Sequence, residues 1–365
     1  MPIKFKPYLQ SKSSYEGGKS KADVAQTGKK IYKLSSNENA LGASPKALTA
    51  LQKHLPYISE YPDRTDKRLR QSLEKFYNGQ LTADQFITTN SGVGNLELII
   101  RGFMEEDAEC IYSNPAFGPY KSFPLKLGAR AIDIPLLGEN FDLDVKGILS
   151  AITDKTSLIF ITSPNNPTGS HIPKAQIDEL INNLPDHVIV VFDEVYYQFA
   201  DANDFVRPLS YVLEGKNVIA VNSFSKAYGL AGLRIGYSYS NPTIATYLQQ
   251  LRRPFMINAL SMEGAIAALE DQAFIKKTVD FIHQEKAFLY RELDKLYIKY
   301  WKTQANFILI KPKMDAFEFE TAMLDNGVMV RPVEPFGAPD CVRVTIGTRA
   351  GNEAFIEGLK NILKR

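Results

Sequence analysis

Cysteine is scarce in this 365-residue chain: Cys110 and Cys341 are the whole complement, and they lie far apart in sequence. That usage argues against a disulfide framework and predicts reduced thiols. Histidine is little commoner. His54, His171, His187 and His283 form no metal-spaced cluster, so no metal site is expected. An excess of one charge is also missing, since 43 Lys and Arg against 41 Asp and Glu leave a net charge of only +2. Such a balance gives no support for a nucleic-acid or acidic-membrane partner. No uninterrupted apolar run reaches the length of a membrane span. The stretch Met1–Gln10 holds Lys4 and Lys6 but no apolar signal region. A cytoplasmic protein is expected. What remains is an ordinary globular balance, 44% hydrophobic and 23% charged.

The pattern divides the chain into three parts. Residues 1–33 are polar and rich in Ser, Lys and Gly, an irregular arm. Residues 34–260 alternate short apolar strands with helical segments. Strands are predicted at Gln85–Thr89, Glu109–Ser113, Ala131–Pro135, Ser157–Thr162, His187–Phe192, Asn217–Asn222 and Ile235–Tyr239, and helices at Gly94–Met104, Lys174–Asn183 and Thr243–Arg252. Continuous apolar runs such as Val188–Phe192 suit strands buried on both faces of a mainly parallel sheet. The fold class expected is therefore a three-layer α/β/α domain. Residues 261–365 read as a smaller α+β domain with strands Asn306–Lys311, Val328–Arg331 and Val342–Ile346, against which the N-terminal arm packs.

Four segments bear chemistry. Ser223-Phe-Ser-Lys226 is followed by Arg234. A lysine can form a Schiff base with an aldehyde when its amine pKa is depressed, and the two hydroxyls and the arginine can hold a phosphate. Ser163-Pro-Asn-Asn-Pro-Thr-Gly169 follows a predicted strand; it is a turn by composition alone, or a rigid frame presenting the Asn166 amide to a ligand. Asp193-Glu-Val-Tyr196 ends another strand. An acid there is a helix cap or a site residue, and a buried carboxylate stays ionised only with a partner such as a protonated pyridine nitrogen. Thr89-Asn-Ser-Gly-Val-Gly-Asn-Leu-Glu97 is a strand-to-helix junction whose free N–H groups suit a phosphate. Glu97 stands where the last glycine of a dinucleotide fingerprint belongs, Ser13 where the first glycine of a P-loop belongs, and no G-x-S-x-G elbow occurs.

Taken in chain order, from the glycine-bearing junction Thr89–Glu97 through Asn-Pro-Thr-Gly, Asp-x-x-Tyr and Ser-x-Ser-Lys to Arg234, the segments resemble the fold-type I pyridoxal 5'-phosphate (PLP) enzymes of the aspartate-aminotransferase superfamily, over nearly the whole length. Tyr15-Glu-Gly-Gly-Lys19, Ser36-Asn-Glu-Asn39, Tyr61-Pro-Asp63, Ala231-Gly-Leu-Arg-Ile-Gly236 and Val342–Thr348 make the histidinol-phosphate aminotransferases the most similar branch. The resemblance implies the following roles. Lys226 binds the cofactor aldehyde and moves the proton of catalysis, Asp193 pairs with the pyridinium, and Asn166 and Tyr196 bind the phenolic oxygen. Gly92, Val93, Gly94, Ser223, Ser225 and Arg234 hold the phosphate. Tyr61 reaches the phosphate of a neighbouring subunit, which implies a homodimer with shared sites. Phe117 occupies a position at which relatives stack an aromatic ring, often tyrosine, on the cofactor.

Arg331 and Arg343 stand in or beside apolar strands, where a charge needs a partner. Each is either half of an internal salt bridge or a bidentate fork for a substrate carboxylate or phosphate. By resemblance, Arg343, Arg331, Tyr15 and Asn39 meet small-molecule amino-acid and oxo-acid substrates. The activity implied is PLP-dependent transamination between L-histidinol phosphate and 2-oxoglutarate, in histidine biosynthesis. An aromatic aminotransferase, a decarboxylase of an amino-acid phosphate and a non-catalytic PLP-binding regulator are the competing expectations.

Overall fold

The computed structural model describes residues 3–9 and 30–364. Its strands are Tyr32–Lys33 (β1), Phe86–Thr89 (β2), Glu109–Asn114 (β3), Arg130–Pro135 (β4), Thr156–Thr162 (β5), Ile189–Asp193 (β6), Val218–Ser223 (β7), Gly236–Ser240 (β8), Lys299–Tyr300 (β9), Phe307–Lys311 (β10), Val328–Met329 (β11), Arg331–Pro332 (β12) and Val342–Thr345 (β13). Seven of them form one sheet in the order β2-β8-β7-β6-β5-β3-β4. β8 runs antiparallel to both its neighbours and every other pairing is parallel. The interior strands β6, β7 and β8 are buried at every residue; β6 and β7 open on the apolar runs Ile189–Phe192 and Val218–Val221, whereas β8 buries Ser238 and Ser240 together with its tyrosines. Helices cover both faces, giving the mainly parallel three-layer architecture expected from the sequence.

Register brings the chemistry to one edge. Thr162, Asp193 and Val221 are successive partners across β5, β6 and β7, all near the strands' carboxyl ends. That edge is where open α/β sheets bind ligands. β8 is reversed, so its first residue, Gly236, pairs with Ser223 at the same edge, and Arg234 arrives beside the hydroxyls of β7. A Cβ at Gly236 would lie 2.4 Å from the backbone nitrogen of Gly92. Only glycine lets β8 pass this close to the junction.

A second sheet, β12-β13-β10-β9, is antiparallel. The strand expected at Val328–Arg331 divides in two. β11 pairs in parallel with β1, whereas β12 pairs with β13. β1 falls inside the stretch expected to be irregular, because the β11 edge offers it backbone partners. His187 lies outside β6, which begins at Ile189, and its Nε2 is 3.4 Å from the Thr153 carbonyl.

Among the described residues, no helix is long and apolar enough to cross a membrane, and no group of His, Cys, Asp or Glu could hold a metal ion.

Candidate active site

A cavity of about 280 Å³ opens at the carboxyl edge of the large sheet. Lys226 lines it, three residues past the end of β7. Its Nζ donates to the Ser36 carbonyl at 3.1 Å. Burial, helped by the charges of Arg343 and Arg234 and opposed by Glu38 and Asp193, lowers the amine pKa to about 7. A lysine in that range is in part neutral at physiological pH and nucleophilic.

Asp193 closes β6 and lines the cavity. Its Oδ1 accepts from the Val195 N–H at 3.0 Å and its Oδ2 from the Tyr120 hydroxyl at 2.8 Å. The Tyr120 hydroxyl in turn accepts from Thr162 at 2.8 Å, and its ring stacks on Phe160. Burial outweighs these donors and raises the Asp193 pKa to about 6. A cation placed beside the carboxylate would hold it ionised. Glu194, the next residue, points the other way. It is fully buried and forked by Arg207 at 2.8 and 2.7 Å, with Tyr239 and Asn222 also donating to it. The alternation of side chains along the chain therefore makes Asp193, not Glu194, the cavity's acid.

The anion end is built from a helix terminus and a turn. After helices Pro45–His54 (α1) and Lys67–Phe76 (α2), Ser91 caps helix Gly92–Phe103 (α3) by accepting the Gly94 N–H at 2.9 Å. With Ser91 as cap, α3 begins two residues before the Gly94 predicted from the sequence, so the Gly92 and Val93 amides belong to its first turn and point outward. Across from them the Ser223 and Ser225 hydroxyls lie 2.9 Å apart. Arg234 completes the cradle from a left-handed backbone, φ +51°.

Arg343 and Arg331, from the second sheet, also line the cavity. Arg343 is buried; it donates to Asn166 Oδ1 at 2.5 Å and to the Ser35 carbonyl at 2.9 Å. With its oxygen taken, Asn166 turns its NH2 end away from Arg343. Phe117 supplies an apolar wall. Four cations, Lys226, Arg234, Arg331 and Arg343, face two lining acids, Asp193 and Glu38, so the cavity favours anions.

Gly92, Val93, Phe117, Asn166, Asp193, Tyr196, Ser223, Ser225, Lys226, Arg234, Arg331 and Arg343 thus line one cavity. Three others lie elsewhere. The Gly94 N–H goes to Ser91, and a Cβ there would strike Asn90. Asn39 donates to the Ala227 carbonyl at 2.8 Å and to Thr278, supporting the lysine's neighbour instead of lining the cavity. Tyr61 is 86% exposed, against Phe255. Tyr15 lies outside the described residues. Tyr120 and Thr162 join the site without having been singled out in the sequence, and Ser91, Asn37 and Glu38 join it from within the segments Thr89–Glu97 and Ser36–Asn39, where no role was assigned to them. Thr162 ends a predicted strand and Tyr120 stands three residues after Phe117; either position was a signal.

The donor set fits the cofactor that the resemblance implies. It offers a near-neutral buried lysine for an aldehyde, a buried carboxyl for a pyridine nitrogen, hydroxyl and amide groups for a ring oxygen, and a cradle of N–H, O–H and guanidinium groups for a phosphate.

The sequence profile of the family described as Aminotransferase class I and II matches residues 29–359. Histidinol-phosphate aminotransferase 2 of Hydrogenovibrio crunogenus is 37% identical over 360 residues, covering 98% of this chain and 95% of the relative. Histidinol-phosphate aminotransferase of Moorella thermoacetica is 38% identical over 92% of this chain and 86% of its own. Among solved structures, that of histidinol-phosphate aminotransferase from Sinorhizobium meliloti in complex with pyridoxal-5'-phosphate superposes with a TM-score of 0.88 at 26% identity, covering 100% of this chain and 98% of the other.

Proposed function

The chain belongs to the class I and II aminotransferases, and from that premise we propose that it exchanges amino groups between L-histidinol phosphate and 2-oxoglutarate using PLP, in histidine biosynthesis. One observation carries the reading: Lys226, Asp193 and the two arginines of the small sheet line a single cavity. The relatives' names supply the substrate pair.

When bound, PLP supplies an aldehyde that takes up the amino group and a ring that accepts electrons from the substrate Cα–H bond. The remaining work belongs to the chain's own groups. Asp193 holds a proton on the pyridine nitrogen by charge pairing. Tyr196 and the Asn166 NH2 donate to the ring oxygen. The α3 amides, Ser223, Ser225 and Arg234 bind the phosphate and fix the cofactor's orientation. Lys226 takes the proton at its Nζ and returns it, a task suited to an amine with pKa near 7. Arg343 and Arg331 bind the carboxylate of glutamate and the phosphate of the alternate substrate, and Phe117 excludes water from one wall.

The same reading makes the protein a cytoplasmic homodimer in which exposed Tyr61 reaches the partner's phosphate site. It divides the chain into an arm (1–33), a large domain (34–260) and a small domain (261–365).

The test is twofold. Purified protein with PLP should show a visible absorbance band that Lys226→Ala lacks. Single-turnover rates should rank histidinol phosphate above phenylalanine, tyrosine and threonine phosphate. A faster aromatic amino acid, or release of carbon dioxide from threonine phosphate, would overturn the substrate assignment.

A further inference from the structure

Asn37 is buried, with 1% of its surface exposed, and holds a left-handed backbone of φ +55°. Asparagine tolerates that conformation better than most residues. Glycine would tolerate it too, so conformation alone does not account for the amide.

The amide is tied down on both sides. The Asn37 N–H donates to Thr345 Oγ1 at 2.8 Å, and the Thr345 hydroxyl returns a hydrogen bond to Asn37 Oδ1 at 3.2 Å. The Asn37 carbonyl accepts from Asn306 Nδ2 at 3.1 Å. With its oxygen facing Thr345, the side chain presents Nδ2 to the Tyr196 hydroxyl oxygen at 3.0 Å. An NH2 group can only donate. The tyrosine oxygen is therefore an acceptor on that side, and its own hydrogen must lie in another direction. Tyr196 and Asn37 both line the cavity.

We propose that Asn37 is a positioning residue: by donating to Tyr196 it turns the tyrosine hydroxyl outward, as a donor to the ring oxygen of the bound cofactor. Hydrogen bonds in such a chain polarise one another, so Asn37 also strengthens the donation. Thr345, on the strand that carries Arg343, sets the orientation of the amide. The inference rests on the PLP reading above.

A donor at the ring oxygen favours the form of the bound cofactor in which that oxygen is most negative, which is the deprotonated one. The readout is the pH midpoint of the bound cofactor's visible absorbance, measured on the PLP-loaded full chain. Asn37→Gly keeps the left-handed backbone and adds no charge. It should move the midpoint up by about half a unit to one unit, roughly a threefold to tenfold change in proton affinity. Thr345→Val, which leaves Asn37 in place, should move it the same way by less. In a Tyr196→Phe background both shifts should vanish, because the effect passes through the hydroxyl. Melting curves on the loaded variants check that each is folded.

An unchanged midpoint in Asn37→Gly would sink the proposal. A downward shift would sink it as well, because it would mean that Tyr196 donates to Asn37. Shifts that persist in Tyr196→Phe would assign the effect to packing or to the field instead. Failure of the underlying reading looks different: the unmodified chain would then show no visible band with PLP.

Discussion

Arg331 and Arg343 are register partners on neighbouring antiparallel strands, directly opposite each other across β12 and β13. Both guanidiniums flank the Phe336 ring, at 5.7 and 5.8 Å from its centroid. Like charges opposed across a strand pair are unfavourable. An anion that reached both guanidiniums would gain charge-assisted hydrogen bonds.

Arg343→Lys keeps the charge but loses the planar fork that meets Asn166, the Ser35 carbonyl and an anion together. Loss of one charged hydrogen bond costs about 1.5–3 kcal/mol, so kcat/KM for glutamate should fall at least about tenfold. Steady-state kinetics on both half-reactions check this. An unchanged kcat/KM would show that Arg343 does not meet the substrate.

The two buried titrating groups give the ligand-free protein opposite pH dependences. Lys226 is lowered to about 7 from 10.5, so between those values the unfolded chain binds more protons than the native one. Stability from this group therefore rises with pH across that window. Asp193 is raised to about 6 from 3.8, so there the native chain binds more protons and stability falls as pH rises from about 4 to 6. Urea titrations of the ligand-free protein isolate each contribution by difference: wild type minus Lys226→Met should carry the rising alkaline slope, and wild type minus Asp193→Asn the falling acid one.

The attachment of PLP to the ligand-free protein should accelerate through pH 7 as Lys226 loses its proton. Arg343→Gln removes the second-largest influence on that amine, after burial, and should move the midpoint up. A wild-type midpoint near that of a free lysine would contradict the buried-amine geometry.

Beneath the site, Arg207 forks the fully buried Glu194 and stacks on Tyr197 at 3.7 Å. Removing one partner of such a pair leaves a buried charge and costs about 3–5 kcal/mol. Arg207→Met should lower the denaturation midpoint accordingly, whereas Arg207→Met with Glu194→Gln should recover part of the loss. If the double variant is no better than the single, the penalty does not come from the stranded carboxylate.

The parts of the site legible in the sequence are those fixed by local chain geometry. Asp193 follows an apolar strand, α3 follows β2, and Lys226 and Arg234 straddle the turn into a reversed strand. In each case the strand end delivers the side chain to the edge. The partners of Asn37 and Tyr120 were not legible, because they come from long-range docking: Asn37 meets Tyr196 across 159 positions and Tyr120 meets Asp193 across 73. The division of the Val328–Arg331 strand was hidden for the same reason. Its halves are separated by which partner each finds, β1 or β13, and not by any change in composition.

The exposed Tyr61 ring bears on how the site is completed. Its loop is anchored from behind: Phe255 donates its N–H to the Arg64 carbonyl at 3.3 Å, and the buried Asp66 pairs with Arg252. A tyrosine held outward on an anchored loop suits delivery to a second copy. If each site needs Lys226 from one subunit and Tyr61 from the other, two inactive variants can complement each other. Tyr61→Ala mixed with Lys226→Ala, unfolded and refolded together, forms hybrids with one intact site, so about a quarter of wild-type activity should return. Each variant refolded alone should stay low. Absence of recovery, with hybrid dimers demonstrated by mass, would place Tyr61 outside the partner's site.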